Sequence, residues 1–483
     1  MSQFDKRNLS MMMDLYEMTM ANGYFSDPNA QRKVTFDVFY RQNPDHGGFA
    51  IFAGLEQIVD YLENMHFDAE DIEYFRSLGI FSEGFLNYLK DYRFHGDVYA
   101  FPEGTIMYPN EPIITIYAPL IDAQLIETAI LAQINHQSLI ATKAQRIVRA
   151  AKGRIVSDFG ARRAHNMDAA VYGARAAYIG GAAGTATLLA GKMFGIPVVG
   201  TMAHSWIMYY QDEYEAFKRY AELYPDNCQF LIDTYDVMHS GLPNAIRVAQ
   251  EILLPRGKRL LGVRIDSGDL AYLSKRVRAA LDKAGLTDCR IIASNSLDEY
   301  TVSSILDHQD GRIDIFGIGE RLITAKSDPV FGCVYKMSAV EEGDVCIPRI
   351  KVSETFEKIT NPGRKNVYRV YDNTGHAIAD LLTKASENPD FSKPYQYVDP
   401  HKSWKSRSFT DCTIKSLQKL IIKDGKRVVE LPSLNEIRNF VKYQLENEIW
   451  PEEQRFENPH KHYLDMSPEY YELKSSLLRQ NKF

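Results

Sequence analysis

Between residues 154 and 340 the chain repeats one pattern, and that pattern limits the folds open to it more than any other feature. Short apolar runs recur as "RIVSDFG", "YIGG", "PVVGTMA", "CQFLIDTYD", "LLGVRIDSGD", "CRIIASNS" and "DIFGIGE", with helical patterns between most of them. In "LAYLSKRVRAALDKAG" the residues Leu270, Leu273, Val277 and Leu281 share one face, while Lys275, Arg276, Arg278 and Lys283 lie outside it. Asp269 is placed to cap the start of that helix and Gly285 to stop it. Strands alternating with amphipathic helices build a parallel sheet, since each crossover returns the chain in the same direction. About seven such units predict an irregular, TIM-like α/β barrel, closed or nearly closed, with an open doubly wound sheet as the alternative.

The flanks read differently. "KVTFDVFYRQ" and "GDVYAFPEGTIMYPNEPIITIYAP" are strands of a mixed or antiparallel sheet, with Pro102, Pro109, Pro112 and Pro119 at turns and edges. "DLYEMTMANGYF" and "LIETAILAQINHQSLIATKAQRIVRAA" are helical around them. After residue 345, "IPRIKVSETFEKITNPGRKNVYRVYDNTGHAIAD" returns to strands, and "SENPDFSKPYQYVDPHKSWKSRSF" is expected as an irregular loop. A chain of 483 residues exceeds one ordinary core. The expected organisation is an N-terminal α+β domain over 1–140, the α/β barrel with the active site over 141–345, and a segment over 346–483 that packs on the N-terminal domain. The two flanks would thus form one α+β sheet domain.

A net charge of −7 argues against a nucleic-acid or polybasic membrane binder, so an anionic ligand needs a local positive patch. Five cysteines, odd in number and without a CxxC pair, fit reduced thiols in a cytoplasm better than a disulfide framework or a zinc site. "MSQFDKRNLSMMMDLYEMTM" has no long apolar run and no small-residue cleavage site, so no export signal is expected in it. "YIGGAAGTATLLAGKMFGIPVVGTMA" is broken by six glycines, Lys192 and Pro197 and reads as buried core, so no membrane span is expected. The expected location is cytoplasmic.

In such a barrel, ligands bind where strands end and loops begin. Those ends hold Asp158, Arg162 and Arg163; Thr201 and His204; Asp233 and Asp236; Arg264, Asp266 and Asp269; Ser294 and Asn295; and Gly317, Gly319 and Thr324. Each has a plain structural reading. A histidine beside a core strand is usually a hydrogen-bonded core residue, an aspartate after a strand is often a helix cap, and the glycines of "FGIGE" can serve a tight turn. Arg264 can simply pair with Asp266. The combination favours function: guanidinium forks hold carboxylate or phosphate, exposed backbone N–H groups cradle phosphate, and aspartates take ribose hydroxyls or hydrated Mg²⁺. No Walker A motif is present, and no GxGxxG opens a helix after a strand.

Together, "DLYEMTMANGYF", "SDFGARRAH", "GTMAHSW", "VRIDSGDL", "FGIGERLIT", "GCVYKM" and "KITNPGRKNVYR" resemble, in order, the nicotinate phosphoribosyltransferase family of type II phosphoribosyltransferases, over residues 14 to 370. The resemblance implies that nicotinate, 5-phosphoribosyl-1-pyrophosphate and ATP are substrates, with Mg²⁺ or Mn²⁺ as cofactor. It identifies His204 with the histidine phosphorylated by ATP. Tyr16, Thr201 and Arg264 match positions that hold nicotinate, and Phe159 and Arg162 resemble the aromatic and cationic walls of the pyridine slot. Thr324, with Gly319 before it, matches the phosphate site; Asp236, Asp266, Ser294 and Asn295 fall near ribose and pyrophosphate, with Asp266 expected beside His204 as a catalytic residue. The metal's direct ligands are not identified. The family also implies a head-to-tail homodimer, with the N-terminal tyrosine lent across the interface and the active site there.

The chemistry suits the residue types. Breaking the anomeric C–O bond builds cationic character at C1 and charge on the departing pyrophosphate, which fixed donors and Mg²⁺ stabilise. A phosphoryl group on His204 adds about −1.5 to −2 charge and can bias a conformational cycle. Small residues beside His204 would leave room for the γ-phosphate of ATP. Gly184-Thr185-Ala186 stands where the related nicotinamide enzyme carries an acid, which favours the carboxylate substrate. The alternatives are the same transfer to nicotinamide, or to quinolinate with decarboxylation, which would need a denser basic cluster. A barrel lyase or isomerase for a sugar phosphate would need a strand-end lysine or proton-abstracting acid, and a barrel that binds without catalysis would not keep these groups intact.

Overall fold

The computed structural model describes residues 7–480, apart from 30, 356, 357, 403 and 405. Met1–Lys6 of the stretch searched for an export signal, Phe356 and Glu357 of the expected strands, and Ser403 and Lys405 of the expected loop lie outside the described residues. The chain divides into two compact units, one of Met1–Leu139 with Val330–Phe483, the other of Ile140–Pro329.

The first unit joins both ends of the sequence in one antiparallel sheet. Its described strands run in the order Val345–Pro348, Val334–Glu342, Lys33–Phe39, Ile114–Pro119, Asp97–Ala100, Lys419–Lys423 and Lys426–Arg427. Lys33–Phe39 is rich in β-branched and aromatic residues and is buried from Val34 onward, as a strand covered on both faces should be. Val34 pairs with Val340 and Lys419 with Ala100, so strands far apart in sequence are neighbours. "DLYEMTMANGYF" forms the helix Leu15–Phe25, capped by a reciprocal Asp14–Glu17 box.

A second sheet in this unit corrects one expectation. Tyr395–Val398 and Ser406–Phe409 pair antiparallel inside the segment read as an irregular loop. Tyr395 and Tyr397, on either side of Gln396, pack with Phe391 against Val370, Leu381 and Phe409. Tyr397 stacks on Phe409 at 4.0 Å. Lysines, serines and prolines around these aromatics hide a period-two signal.

The same unit buries a dense ionic cluster. Arg369 Nε and Nη2 donate to the two oxygens of Asp380 at 2.9 and 2.8 Å. His462 lies 3.5 Å from Asp380 and 3.2 Å from Glu453, and it stacks on Tyr108 at 3.7 Å. Tyr108 donates to Glu453 at 2.6 Å. Burial opposes the charge on Arg369, but Asp380 outweighs it and holds the guanidinium well above its ordinary range.

The second unit carries the alternating pattern. Its described strands, first to fifth in chain order, are Ile155–Asp158, Gln229–Leu231, Gly262–Ile265, Arg290–Ser294 and Ile315–Ile318. All neighbours pair parallel, in the spatial order first, fifth, fourth, third, second. Single parallel bridges from Asp158 to Thr185, and from Thr185 to Val198, extend the first strand's edge. The architecture is thus a mixed α/β fold with a five-stranded parallel sheet among the described residues, where seven full strands were expected. "YIGG" is the end of the helix Met167–Ile179 and its turn, because the apolar run continues a helix buried on every side from Ala170. The helix expected within 270–285 forms as Leu270–Lys283, with Asp269 accepting from Tyr272 N–H. Among the described residues no helix is long and apolar enough to cross a membrane.

Candidate active site

The carboxyl ends of the parallel strands bring together most of the residues singled out in the sequence. The first strand ends at Asp158, buried at 1% exposure. Its carboxylate accepts from Gly160 N–H at 2.8 Å and Thr185 Oγ1 at 2.7 Å. Burial raises its pKa while those bonds pull it back. Asp158 therefore fastens the strand to the Thr185 segment. Phe159 follows, and its N–H donates to Ile318 O at 2.8 Å. The ring lies over Gly317, where a Cβ would sit 2.5 Å from two ring carbons. Gly317 is a mid-strand residue paired to Ser157 and Ser294, so it makes room for a ring and forms no turn.

Thr201 and Arg264 meet at one carbonyl: Arg264 Nη2 donates to Met202 O at 2.7 Å, and Thr201 Oγ1 lies 3.3 Å from it. His204 opens the short helix His204–Tyr209. Its Nε2 is 3.2 Å from Asp233 Oδ1, and the imidazole is 40% exposed against 2% for that carboxylate. The other oxygen of Asp233 accepts from Asp266 N–H at 3.0 Å and Ser267 Oγ at 2.6 Å. One buried acid thus holds both the imidazole and the loop after the third strand. Asp233 was visible in sequence only as a strand-end carboxylate without a role, and Thr185 gave no signal of its bond to Asp158. An acid directly after an apolar run was the available sign.

Arg264 is buried at the mouth but only partly satisfied. Its Nη1 is 3.4 Å from Ser294 Oγ and 4.0 Å from Asp266 Oδ1, too far for a strong pair. Its buried Nε has no hydrogen-bond partner. Burial lowers its pKa; Asp266 and Asp233 oppose this, and the like charge of Arg162 adds to it. A guanidinium that is desolvated, near a second one and without a bidentate carboxylate is arranged for an incoming anion. Ser294 Oγ also donates to Asp266 Oδ1. Asn295 follows with a φ of 93°, in the left-handed region, so the backbone bends sharply beside these groups.

Four expected site residues stand apart in their bonding. Asp236 caps its own turn, accepting from Met238 N–H, His239 N–H and the His239 ring at 2.9, 2.7 and 3.0 Å. Those bonds, chiefly the His239 N–H, hold its carboxyl below the usual range. Gly319 caps the short helix Glu320–Ile323, and Thr324 ends it, donating to Glu320 O at 2.8 Å. Tyr16 belongs to the other unit, where it is 43% exposed. There, partial burial and then Glu127 push its phenol well above the ordinary value.

No group of three or more His, Cys, Asp or Glu side chains among the described residues is placed to hold a metal. A dedicated protein cage does not fit. Asp236, ionised and facing solvent, and Asp266 fit the mode in which Mg²⁺ is carried mainly by substrate phosphates and touched by one or two carboxylates.

Three family models match the chain: the nicotinate phosphoribosyltransferase N-terminal domain over residues 11–135, the nicotinate phosphoribosyltransferase family over 155–348, and its C-terminal domain over 364–474. The nicotinate phosphoribosyltransferase of Bacillus subtilis is 42% identical over 99% of this chain and 97% of its own. That of Caenorhabditis elegans is 33% identical over 98% and 93%. The crystal structure of human nicotinic acid phosphoribosyltransferase superposes with a TM-score of 0.84 at 28% identity, covering 96% of this chain and 99% of that one.

Proposed function

The chain belongs to the nicotinate phosphoribosyltransferase family, and from that premise we propose that it joins nicotinate to 5-phosphoribosyl-1-pyrophosphate in NAD biosynthesis. The products are nicotinate mononucleotide and pyrophosphate. The observation that carries this reading is Arg264, a buried guanidinium with an unpartnered Nε beside the charge of Arg162, with the half-buried Phe159 ring over Gly317, the strand neighbour of Ser294. An aromatic carboxylate matches that set in shape and charge. Ala186, at the exposed end of the Thr185 segment, offers no carboxylate to repel it.

In the proposed transfer the pyridine nitrogen forms a bond to C1 of the sugar. The C1–O bond breaks, and pyrophosphate leaves with the electron pair. Arg264, Arg162 and Thr201 hold the acid so that the nitrogen faces C1, while Phe159 covers one face of the ring. Ser294, Asn295, Asp266 and Asp236 line the sugar and its leaving group, with Gly319 and Thr324 at the 5-phosphate. Mg²⁺ or Mn²⁺, when bound, neutralises charge on the leaving pyrophosphate.

His204 has a separate task in this reading. With Nε2–H donating to Asp233, Nδ1 carries the free lone pair and takes the γ-phosphoryl group of ATP, releasing ADP. Water later cleaves that group to phosphate. This ATP-coupled cycle places the enzyme among the ligases. The proposed setting is cytoplasmic, as a homodimer in which Tyr16 of one copy completes the site of the other. The seven parallel segments are proposed to close as a barrel, a reading supported by the His204–Asp233 link from the segment after Val198 to the far edge strand, and by the Arg264–Met202 bond beside it.

The test mixes protein, Mg²⁺ and 5-phosphoribosyl-1-pyrophosphate with nicotinate or nicotinamide, each with and without ATP. Product from nicotinate alone, increased by ATP, is expected, and none from either ring would overturn the reading. With γ-³²P-ATP the enzyme should take up an acid-labile, base-stable label that His204→Ala loses.

A further inference from the structure

Gly317 lies inside the fifth strand and has no place in the proposed chemistry. Its φ is outside the left-handed region, so the backbone does not demand glycine there. The demand is spatial: a Cβ would stand 2.5 Å from both Cδ2 and Cε2 of Phe159. Non-bonded carbons settle at about 3.5–4.0 Å, so the ring would have to withdraw by about an ångström.

The sheet register says which way. Gly317 pairs with Ser157 on one side and Ser294 on the other, and side chains two residues apart in a strand share a face. Phe159, two residues beyond Ser157, thus leans over the face on which Gly317 is bare. Across that bare position stands Ser294, whose hydroxyl donates to Asp266 and lies 3.4 Å from Arg264 Nη1. The strand backbone is fixed by pairing on both sides, whereas the Phe159 ring is only half-buried.

We infer that Gly317 is a positioning residue that sets the depth of the substrate slot: lacking a side chain, it lets the Phe159 ring lie flat on the sheet and keeps open the space between that ring and Arg264. The inference rests on the reading of Phe159 and Arg264 as the walls of the nicotinate slot. A methyl group at 317 lifts the ring into the space the substrate ring needs, without touching the groups assigned to the sugar phosphate.

The test uses the full chain and the variants Gly317→Ala, Phe159→Ala and the double substitution. Gly317→Ala should raise KM for nicotinate about tenfold while the fold persists. KM for 5-phosphoribosyl-1-pyrophosphate should stay within about twofold, and in the Phe159→Ala background the added methyl should change KM for nicotinate by less than about twofold. A rise in both KM values together, or a full further loss in the double variant, would overturn the inference. A crystal structure of Gly317→Ala reads the ring position directly, and an unmoved ring overturns the inference whatever the activity. A wild-type protein that turns over no nicotinate would instead sink the functional reading, leaving the ring displacement to be judged on its own.

Discussion

Two buried arginines, one in each unit, have opposite fates. Arg369 gives two hydrogen bonds to Asp380 and has an acidic cluster around it, and its charge is strongly favoured. Arg264 gives its one short bond to a backbone carbonyl, keeps a buried Nε without a partner, and has its charge disfavoured by burial. The first is saturated and can only hold the fold together. The second has donor capacity left over, and a fold keeps such a group where a ligand will complete it.

The strongest way to break this contrast is Asp380→Ala. It leaves Arg369 charged and buried without its two-oxygen partner, Glu111 lying only within 3.8 Å, and should cost about 3–5 kcal/mol of stability in urea unfolding. A cost under 1 kcal/mol would mean that the cluster is not the lock it resembles. Arg264→Met should behave in reverse. It should raise KM for nicotinate about a hundredfold, since a truncated charge partner leaves the substrate carboxylate unpaired. Stability should change by no more than about 1 kcal/mol, because the lost guanidinium was poorly satisfied. Equal unfolding losses from the two substitutions would erase the distinction.

A smaller effect sharpens it. Asp122, in the first unit, accepts from His95 N–H at 2.8 Å, yet burial pushes its carboxyl up to about 6. A raised carboxyl favours folding below its unfolded pKa and loses that advantage as pH climbs through about 6. Asp122→Asn should therefore stabilise the protein by about 1 kcal/mol at pH 8 and by almost nothing at pH 3.5, as read from paired melting curves.

Local pattern told most about the second unit and least about the first. The helix over 270–283 and its Asp269 cap follow from short-range periodicity, and so do the third to fifth parallel strands. "YIGG" reads as a strand in sequence because four apolar or small residues carry no period of their own. The Tyr395–Val398 hairpin was hidden by polar neighbours, and the pairing of Val34 with Val340 has no local sign at all. At the mouth, Thr201, His204, Arg264, Asp266 and Ser294 could be singled out one by one from their places after apolar runs. What the sequence could not supply was the joint between them. Asp233 links His204 to the Asp266 loop through two different oxygens, and Met202 contributes only its backbone.

The antiparallel sheet of the first unit also dictates an order of events during synthesis. Residues 140–329 hold every strand of their own sheet and can finish folding as they leave the ribosome. Lys33–Phe39 and Asp97–Ala100, made earlier, must wait for Val334–Glu342 and Lys419–Lys423 to arrive. Throughout that delay the nascent chain displays apolar strand edges, so its earliest segments are the ones most in need of a chaperone.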